Sequence, residues 1–342
     1  MTTRKEVADR AGVSEATVSR VLNNVGPIRE ETKRKVLEAA KALNYYPSAL
    51  ARSFVRRKSG NLGVVLPYVP KVNVFSTYYF AEVLSGIGGT VRENGYDLLL
   101  MFRSPLESMD YAGLFKSQKV DALIILGSRD VPEEREALRL LQEEGHPFCL
   151  INQHFIGETF PEIDAEHAQG SLEAVRHLIG QGAKRIAFLN GTLDYSNSVD
   201  RLEGVRAAFA EAGMPLDPAL MLEGNYSRKS GYAAAAAVYA MRDALDAIFV
   251  ANDRMAIGLM QGLRELGVNT EALPAIVGYD DSDAARVTDP PLTSVHVPFY
   301  EMGKRAAERL IAPVEGSEGA NAQREILGTR LVVRKSSGLR EK

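Results

Sequence analysis

The stretch TRKEVADRAGVSEATVSRVLNN occupies Thr3–Asn24 and decides how the rest of the 342-residue chain is read. Thr3 and Glu6 have the spacing of a capping box, in which a hydroxyl and a carboxylate satisfy free N–H groups at a helix start. Val7, Ala8 and Ala11 fall on one face of that first helix. Gly12 supplies the turn, where a residue without Cβ is least strained. Ser14 then caps a second helix, Glu15 to about Asn23. Its inward face is Val18, Val21 and Leu22, which leaves Glu15, Ala16, Thr17, Ser19, Arg20 and Asn23 pointing outward. Two short helices about a glycine turn, the second polar on its outer face, form the helix-turn-helix pattern. An ordinary helical hairpin shares this spacing, so the distribution of charge has to separate the two.

Residues 1–58 carry 13 Lys and Arg against 6 Asp and Glu, whereas the remainder carries 28 against 38. The overall net charge of −3 therefore conceals a basic head on an acidic body. Such asymmetry points to a nucleic-acid contact at one end. A third helix follows from about Glu30 to Leu43, with Val36, Leu37, Ala40 and Leu43 as its expected buried stripe. It closes a three-helix head over residues 1–46. Pro47 stops that helix. Ser48–Arg57 has helix-forming residues but little apolar face, and is too short to be stable alone. Residues 47–60 are thus a hinge helix that orders against a partner, followed by a Lys58-Ser59-Gly60 linker.

From Leu62 the pattern changes. The apolar runs LGVVLPY, DLLLMF, ALIIL, FCLIN, RIAFLNG, AIFVAN and AIVGYDD alternate with helical stretches such as Phe80–Asn94, Gly170–Gln181, Arg201–Ala212 and Arg254–Leu266. Alternation of this kind implies parallel sheets. The number of strands, with a midpoint near Phe155–Ile163, implies two α/β lobes within residues 61–342. One lobe is expected over about 61–160 and 293–322, the other over about 161–292 and 323–336. Ligands in such folds bind beyond the carboxyl ends of the strands. Asn152 follows FCLI, Asn252 follows AIFVA, Asp280 follows VGY, and Arg201 opens its expected helix, so these polar residues are candidates for an interlobe cleft.

Other classes find little support. Cys149 is the only cysteine and sits in an apolar run, as an inert core residue does. No apolar run approaches bilayer length, and the polar N-terminus lacks a signal-peptide core, so a cytoplasmic location is expected. There is no G-x-S-x-G, no P-loop and no zinc-spaced His/Cys set. Gly86, Gly88 and Gly89 do not complete a dinucleotide fingerprint. His154 is read as a loop or cleft residue rather than a base, and Asp253 as a cap or lobe contact. The expectation is a non-enzyme without cofactor or metal.

The segments VADRAGVSEATVSRVLN, YYPSALARSF, AVRHLIGQGAKRIAFLNG, VDRLEGVRAAF, AIFVANDRMAIG, VGYDD and PPLTSVHVP, taken in order, resemble the lactose-repressor (LacI/GalR) family over essentially the whole chain. The resemblance implies a DNA-binding head, a hinge helix and a two-lobed body like that of periplasmic sugar-binding proteins, assembled as a homodimer on a near-palindromic operator. It implies base reading in the major groove by Glu15, Ala16 and Arg20. Arg20 can donate two hydrogen bonds to guanine, and Ala16 can touch a thymine methyl. Glu15 can accept from cytosine or simply complement the helix dipole. Thr17, Ser19 and Asn23 are expected on phosphates, which position rather than read. Ala51 and Arg52 match hinge positions near the minor groove. Phe54 stands where relatives wedge a leucine into a base step, and a phenyl ring can also unstack one.

For the cleft, the resemblance implies ligand contacts from Arg201, Asn252 and Asp280, with Tyr79, Phe80 and Tyr226 as aromatic walls. Asn152 replaces an acid of some relatives, turning one acceptor into a mixed group. Asn252 and Asp280 have a competing role as helix caps. The expected function is an effector-controlled transcriptional regulator, a repressor of carbohydrate-use genes with a small sugar between its lobes. Control by a nucleobase or by a phosphocarrier protein is the alternative. The tail from Lys335 lacks leucine heptads, so a dimer rather than a tetramer is expected.

Overall fold

The computed structural model describes residues 2–23, 25–46, 58–68, 73–104, 110–311 and 324–339. The head is built from α1 (Arg4–Ala11), α2 (Glu15–Leu22) and α3 (Glu30–Ala42). Both halves of the capping box form: Thr3 accepts from the Glu6 N–H, and the Glu6 side chain accepts from the Thr3 N–H. Gly12 ends α1 in the left-handed region at φ 67°. Val7, Ala8, Val18, Val21, Val36, Ala39 and Ala40 make the small core. Leu37, expected within it, is exposed. Ala39 takes that inward position because the apolar stripe of α3 turns by one residue.

The body holds two six-stranded sheets. Its strands are β1 (Asn61–Pro67), β2 (Asp97–Arg103), β3 (Ala122–Leu126), β4 (Phe148–Ile151), β5 (Glu162–Ala165) and β6 (Ile186–Asn190), then β7 (Met221–Glu223), β8 (Ala247–Val250), β9 (Ala275–Asp280), β10 (Thr293–His296), β11 (Arg324–Leu327) and β12 (Arg330–Val332). The first sheet has the order β11-β5-β4-β3-β1-β2, the second β12-β10-β9-β8-β6-β7. All pairings are parallel except β10 with β12. β3, β4 and β8 are buried along their whole length, as strands of a sheet covered on both faces must be.

Helices α4 (Tyr78–Glu93), α5 (Tyr111–Lys116), α6 (Pro132–Glu143) and α12 (Phe299–Ile311) belong to the first lobe. α7 (His167–Gly180), α8 (Ser196–Glu211), α9 (Arg228–Ala240), α10 (Asp253–Glu265) and the short α11 (Asp283–Arg286) belong to the second. α4 and α12 meet at reciprocal glycines. A Cβ on Gly86 would fall 2.0 Å from the Tyr300 carbonyl oxygen, and one on Gly303 would fall 2.1 Å from that of Val83. Gly86 therefore serves helix packing.

The lobe boundaries correct the sequence expectation. β5 pairs with β4, so it lies in the first lobe rather than the second. β10 pairs with β9 and lies in the second, whereas β11 pairs with β5 and lies in the first. The chain therefore crosses between lobes after β5, after β10 and between β11 and β12. Short strands such as EIDA and REIL carry charge and little apolar pattern. Their partners, not their own composition, assign them to a sheet.

Candidate functional site

On the head, α2 leaves Glu15, Ala16 and Arg20 exposed, with Thr17 and Ser19 half-buried. The Ser14 side chain caps the helix by accepting from the Thr17 N–H at 3.2 Å. Arg20 makes a long contact to the Pro27 carbonyl at 3.4 Å and is otherwise open. Glu15 accepts from Arg4 Nε at 3.2 Å, so an intramolecular ion pair already employs it. Asn23 departs from expectation. It ends α2, is buried, and donates to the Ser19 carbonyl at 2.8 Å instead of pointing outward. The hinge candidates Ala51, Arg52 and Phe54 lie outside the described residues.

In the body, a cavity of about 510 Å³ lies between the lobes, at the carboxyl ends of strands from both sheets. Tyr79, Phe80, Asn152, Arg201, Tyr226, Asn252 and Asp280 all line it. The sequence therefore named a set that the fold brings together. Its backbone is unusual. Asn152, Tyr226 and Asp280 have φ of 61°, 64° and 106°, a region that costs a non-glycine residue energy and that clusters at functional sites.

Each polar side chain has a definite state. Arg201 lies inside α8, which begins at Ser196, and not at its start as expected. Its guanidinium is buried, stacks 4.2 Å from the Tyr279 ring centroid and donates to the Tyr226 hydroxyl at 3.0 Å. Burial opposes its charge, but Tyr226, Tyr279 and Asp280 outweigh that and raise its pKa. The Tyr226 hydroxyl also meets Ser198 and Asn197. Asn252 behaves largely as a cap. Its Oδ1 accepts from the Met255 N–H at 2.9 Å, and its Nδ2 donates to the Tyr226 carbonyl at 3.1 Å, fixing that left-handed residue.

Asn152 Oδ1 lies 2.7 Å from His167 Nε2, and His167 Nδ1 lies 3.1 Å from the Tyr279 hydroxyl. Burial, then Arg201, pushes the His167 pKa down to about 3, so the ring is neutral. With Nε2 protonated, Asn152 spends its oxygen on His167 and turns its NH₂ toward the cleft. Asp280 is pushed well above the usual carboxylate range by burial and then by Asp253. Asp253 accepts from the Ser282 N–H, the Ser282 hydroxyl and the Ser294 hydroxyl, which marks it as a structural residue.

The cavity also holds residues that sequence reasoning missed. Arg129 bridges to Asp194, and Arg254 Nη1 donates to Thr77 Oγ1 at 2.9 Å, both across the lobes. Gln153 is only 1% exposed, and neither of its amide atoms has a hydrogen-bond partner. Tyr195, Asn197 and Phe299 complete the wall. Gln153 directly follows Asn152, and Arg254 stands two residues beyond Asn252. Proximity to strand ends was the available signal. His154 lies outside this wall, at the lobe junction, with Nδ1 2.9 Å from Asp164 Oδ2 and Nε2 3.7 Å from Asp200 Oδ1.

A basic helix-turn-helix head joined to a two-lobed α/β body with a polar interlobe cleft defines a class of DNA-binding regulator. Family models support each part: "Bacterial regulatory proteins, lacI family" matches residues 3–48, and "Periplasmic binding protein-like domain" matches residues 175–337. The chain is 31% identical to the HTH-type transcriptional repressor PurR of Vibrio vulnificus over 93% of each sequence. It is similar to the transcriptional regulator CelR–cellobiose complex, with TM-score 0.72 and 30% identity over 98% of this chain and 100% of that one. The Lac repressor dimer bound to operator and an anti-inducer gives TM-score 0.84 and 26% identity, over 98% and 99% of the chains. The chain belongs to the LacI family of DNA-binding transcriptional regulators.

Proposed function

We propose that this protein is an effector-responsive repressor of carbohydrate-utilisation genes that binds operator DNA as a cytoplasmic homodimer and takes a small sugar between its lobes. The observation that carries this reading is the convergence of Tyr79, Phe80, Asn152, Arg201, Tyr226, Asn252 and Asp280 on one interlobe cavity. Flat aromatic walls with a few fixed polar groups suit a polyhydroxylated ring. The CelR relative solved with cellobiose supports a sugar over other small molecules. On the DNA side, Ala16 and Arg20 read base edges, Thr17 and Ser19 contact phosphates, and the hinge residues Ala51, Arg52 and Phe54 enter the minor groove. Glu15 contributes chiefly through its pairing with Arg4 and through the helix dipole.

The test is thermal stability across mono- and disaccharides, sugar phosphates, sugar acids and purines, because a ligand that binds only the folded state raises the melting temperature. A hit among the carbohydrates, lost in Arg201→Met, supports the reading. A purine hit alone transfers the site to the nucleobase alternative. Silence across the panel, with operator binding responsive to an added phosphocarrier protein, transfers control to a protein partner.

A further inference from the structure

The polar groups of the cleft do not form a balanced set. The hydroxyl of Tyr226 and the amide of Asn252 already have partners, and the Tyr79 hydroxyl donates to the Ile151 carbonyl at 3.2 Å. Four groups retain donors: the guanidinia of Arg201 and Arg254, the NH₂ of Asn152, and Gln153. Acceptors are fewer: the Asp280 carboxylate and Gln153 Oε1. Charge leans the same way. Arg129 is neutralised by Asp194, but among the described residues neither Arg201 nor Arg254 has a carboxylate at ion-pair distance. Asp280 alone sits near both cations, and burial with the neighbouring Asp253 favours its protonated form. Burial likewise works against the charge of Arg254, which no bridging carboxylate offsets.

Around Arg254 there is a second donor source. Its hydroxyl partner Thr77 is the N-cap residue of α4, a 16-residue helix. Thr77 gives no side-chain cap to that helix, and the first turn holds no acidic residue. Tyr79 and Phe80 of that turn line the cavity. A helix start with these features favours an anion through its N–H groups and dipole. Gln153, almost fully buried with both amide atoms unpartnered, independently marks the same cavity as built for a polar ligand.

We propose that the cleft ligand carries an anionic group, a phosphate or a carboxylate, and that Arg254 with the N-terminus of α4 selects for it. A neutral sugar hydroxyl needs an acceptor for its own proton, whereas an anion offers acceptors only, which is what surplus donors require. This inference rests on the reading of the cleft as an effector site and specifies the chemistry of the effector. A sugar phosphate and a sugar acid share that chemistry.

The experiment compares full-length wild type, Arg254→Gln and Arg254→Lys. Inorganic phosphate is titrated at constant ionic strength while thermal stability is followed, so that general salt effects are common to all three. Wild type should show a saturable rise, Arg254→Lys a reduced one, and Arg254→Gln none. The absence of a saturable rise in wild type, or equal rises in wild type and Arg254→Gln, overturns the proposal. In parallel, glucose, glucose 6-phosphate and glucuronate are compared by calorimetry, followed by the matched forms of any other sugar that binds. Arg254→Gln should weaken the anionic form by roughly ten- to a hundredfold, as loss of one charge-assisted pair implies. The phosphorylated sugar outranking the acid, or the reverse, distinguishes the two sources. If a neutral sugar binds best and Arg254→Gln leaves it unaffected, the anionic proposal falls and the sugar-site reading stands. If phosphate binds through Arg254 but no sugar form does, the sugar reading falls and the anion site stands.

Discussion

Replacing Arg201 with methionine should move stability and ligand binding in opposite directions. The guanidinium is only 2% exposed, its Nε has no hydrogen-bond partner, and its contacts are a tyrosine hydroxyl and two aromatic rings. Bringing a cation into such surroundings costs several kcal/mol that no ion pair here returns. A methionine of similar length fills the space over Tyr279 without that cost. Apolar replacements of buried charges gain about 1–4 kcal/mol, and at about 2 °C per kcal/mol for a body this large the ligand-free protein should melt some 2–8 °C higher. Binding should suffer. Two charge-assisted hydrogen bonds to a ligand are worth about 3–6 kcal/mol, or roughly a hundred- to ten-thousandfold in affinity. Differential scanning calorimetry without ligand, and titration calorimetry with the best compound from the thermal panel, measure the two effects. A variant that melts lower yet still binds would refute the reasoning, because Arg201 would then be a structural residue of α8 and not a cation held in reserve for ligand.

Three further outcomes follow from the head and the lobe junction. Arg20→Ala should relax preference at one base pair per half-site, costing about 1–3 kcal/mol there and little elsewhere; equal loss on every sequence would show that Arg20 only holds phosphate. DNA affinity should fall steeply as salt rises, because phosphate contacts by the basic head release counterions; a flat response in a binding titration contradicts that origin. The third is pH. Burial lifts Asp200 to about 6 and Glu162 to about 7. Burial alone would lower the His154 pKa, but Asp164 and Asp200 outweigh it and raise it. All three groups bind protons more readily folded than unfolded, so the stability they contribute is full below their unfolded pKa values and is lost as pH rises through the folded ones. The body should therefore melt higher at about pH 5 than at about pH 8, less so in Asp200→Asn. Asp164, kept low by its imidazole neighbours despite burial, works against this trend only at lower pH. A melting temperature that falls over that range in wild type overturns the assignment.

Much of this molecule was legible in the sequence because local signals and tertiary structure agree. The capping box at Thr3–Glu6, the left-handed Gly12 and the fully apolar β3, β4 and β8 each dictate their own conformation. The cleft set was legible from polar residues at strand ends. What stayed hidden depends on partners distant in sequence. EIDA and REIL become neighbouring strands although 158 residues separate Ala165 from Arg324, and nothing local fixes that pairing. Asn23 has an outward helical position by periodicity but folds back on Ser19 once α2 ends. Arg254 carries an ordinary surface residue type, and only the approach of Thr77 from the other lobe makes it part of the cleft.

The route from cleft to DNA starts where the linker meets the body. Asp121 accepts from the Ser59 N–H at 2.6 Å, the Ser59 hydroxyl at 2.9 Å and the Gly60 N–H at 2.8 Å. Asp121 immediately precedes β3, so the linker is clamped to the first lobe alone. A ligand in the cleft touches both lobes, and several contacts already span them: Arg254 to Thr77, Arg129 to Asp194, the His154 N–H to Ser196 Oγ at 2.9 Å, and Asn197 to the Asn152 carbonyl at 3.2 Å. Any rotation of the first lobe against the second must remake these bonds and carries the linker with it. A ligand biases DNA binding only by its different affinity for the two lobe arrangements. The residues that can supply such a difference are those whose partners change across the junction, Arg254 and Thr77 foremost. Arg201 and Asn252, bonded within the second lobe, set affinity in both arrangements alike. Substitutions at Arg254 should consequently alter how far a saturating ligand shifts operator affinity, whereas substitutions at Arg201 should alter only the ligand concentration needed. Operator titrations at saturating ligand separate the two, and a reduced maximal shift in Arg201→Met would contradict this division of labour.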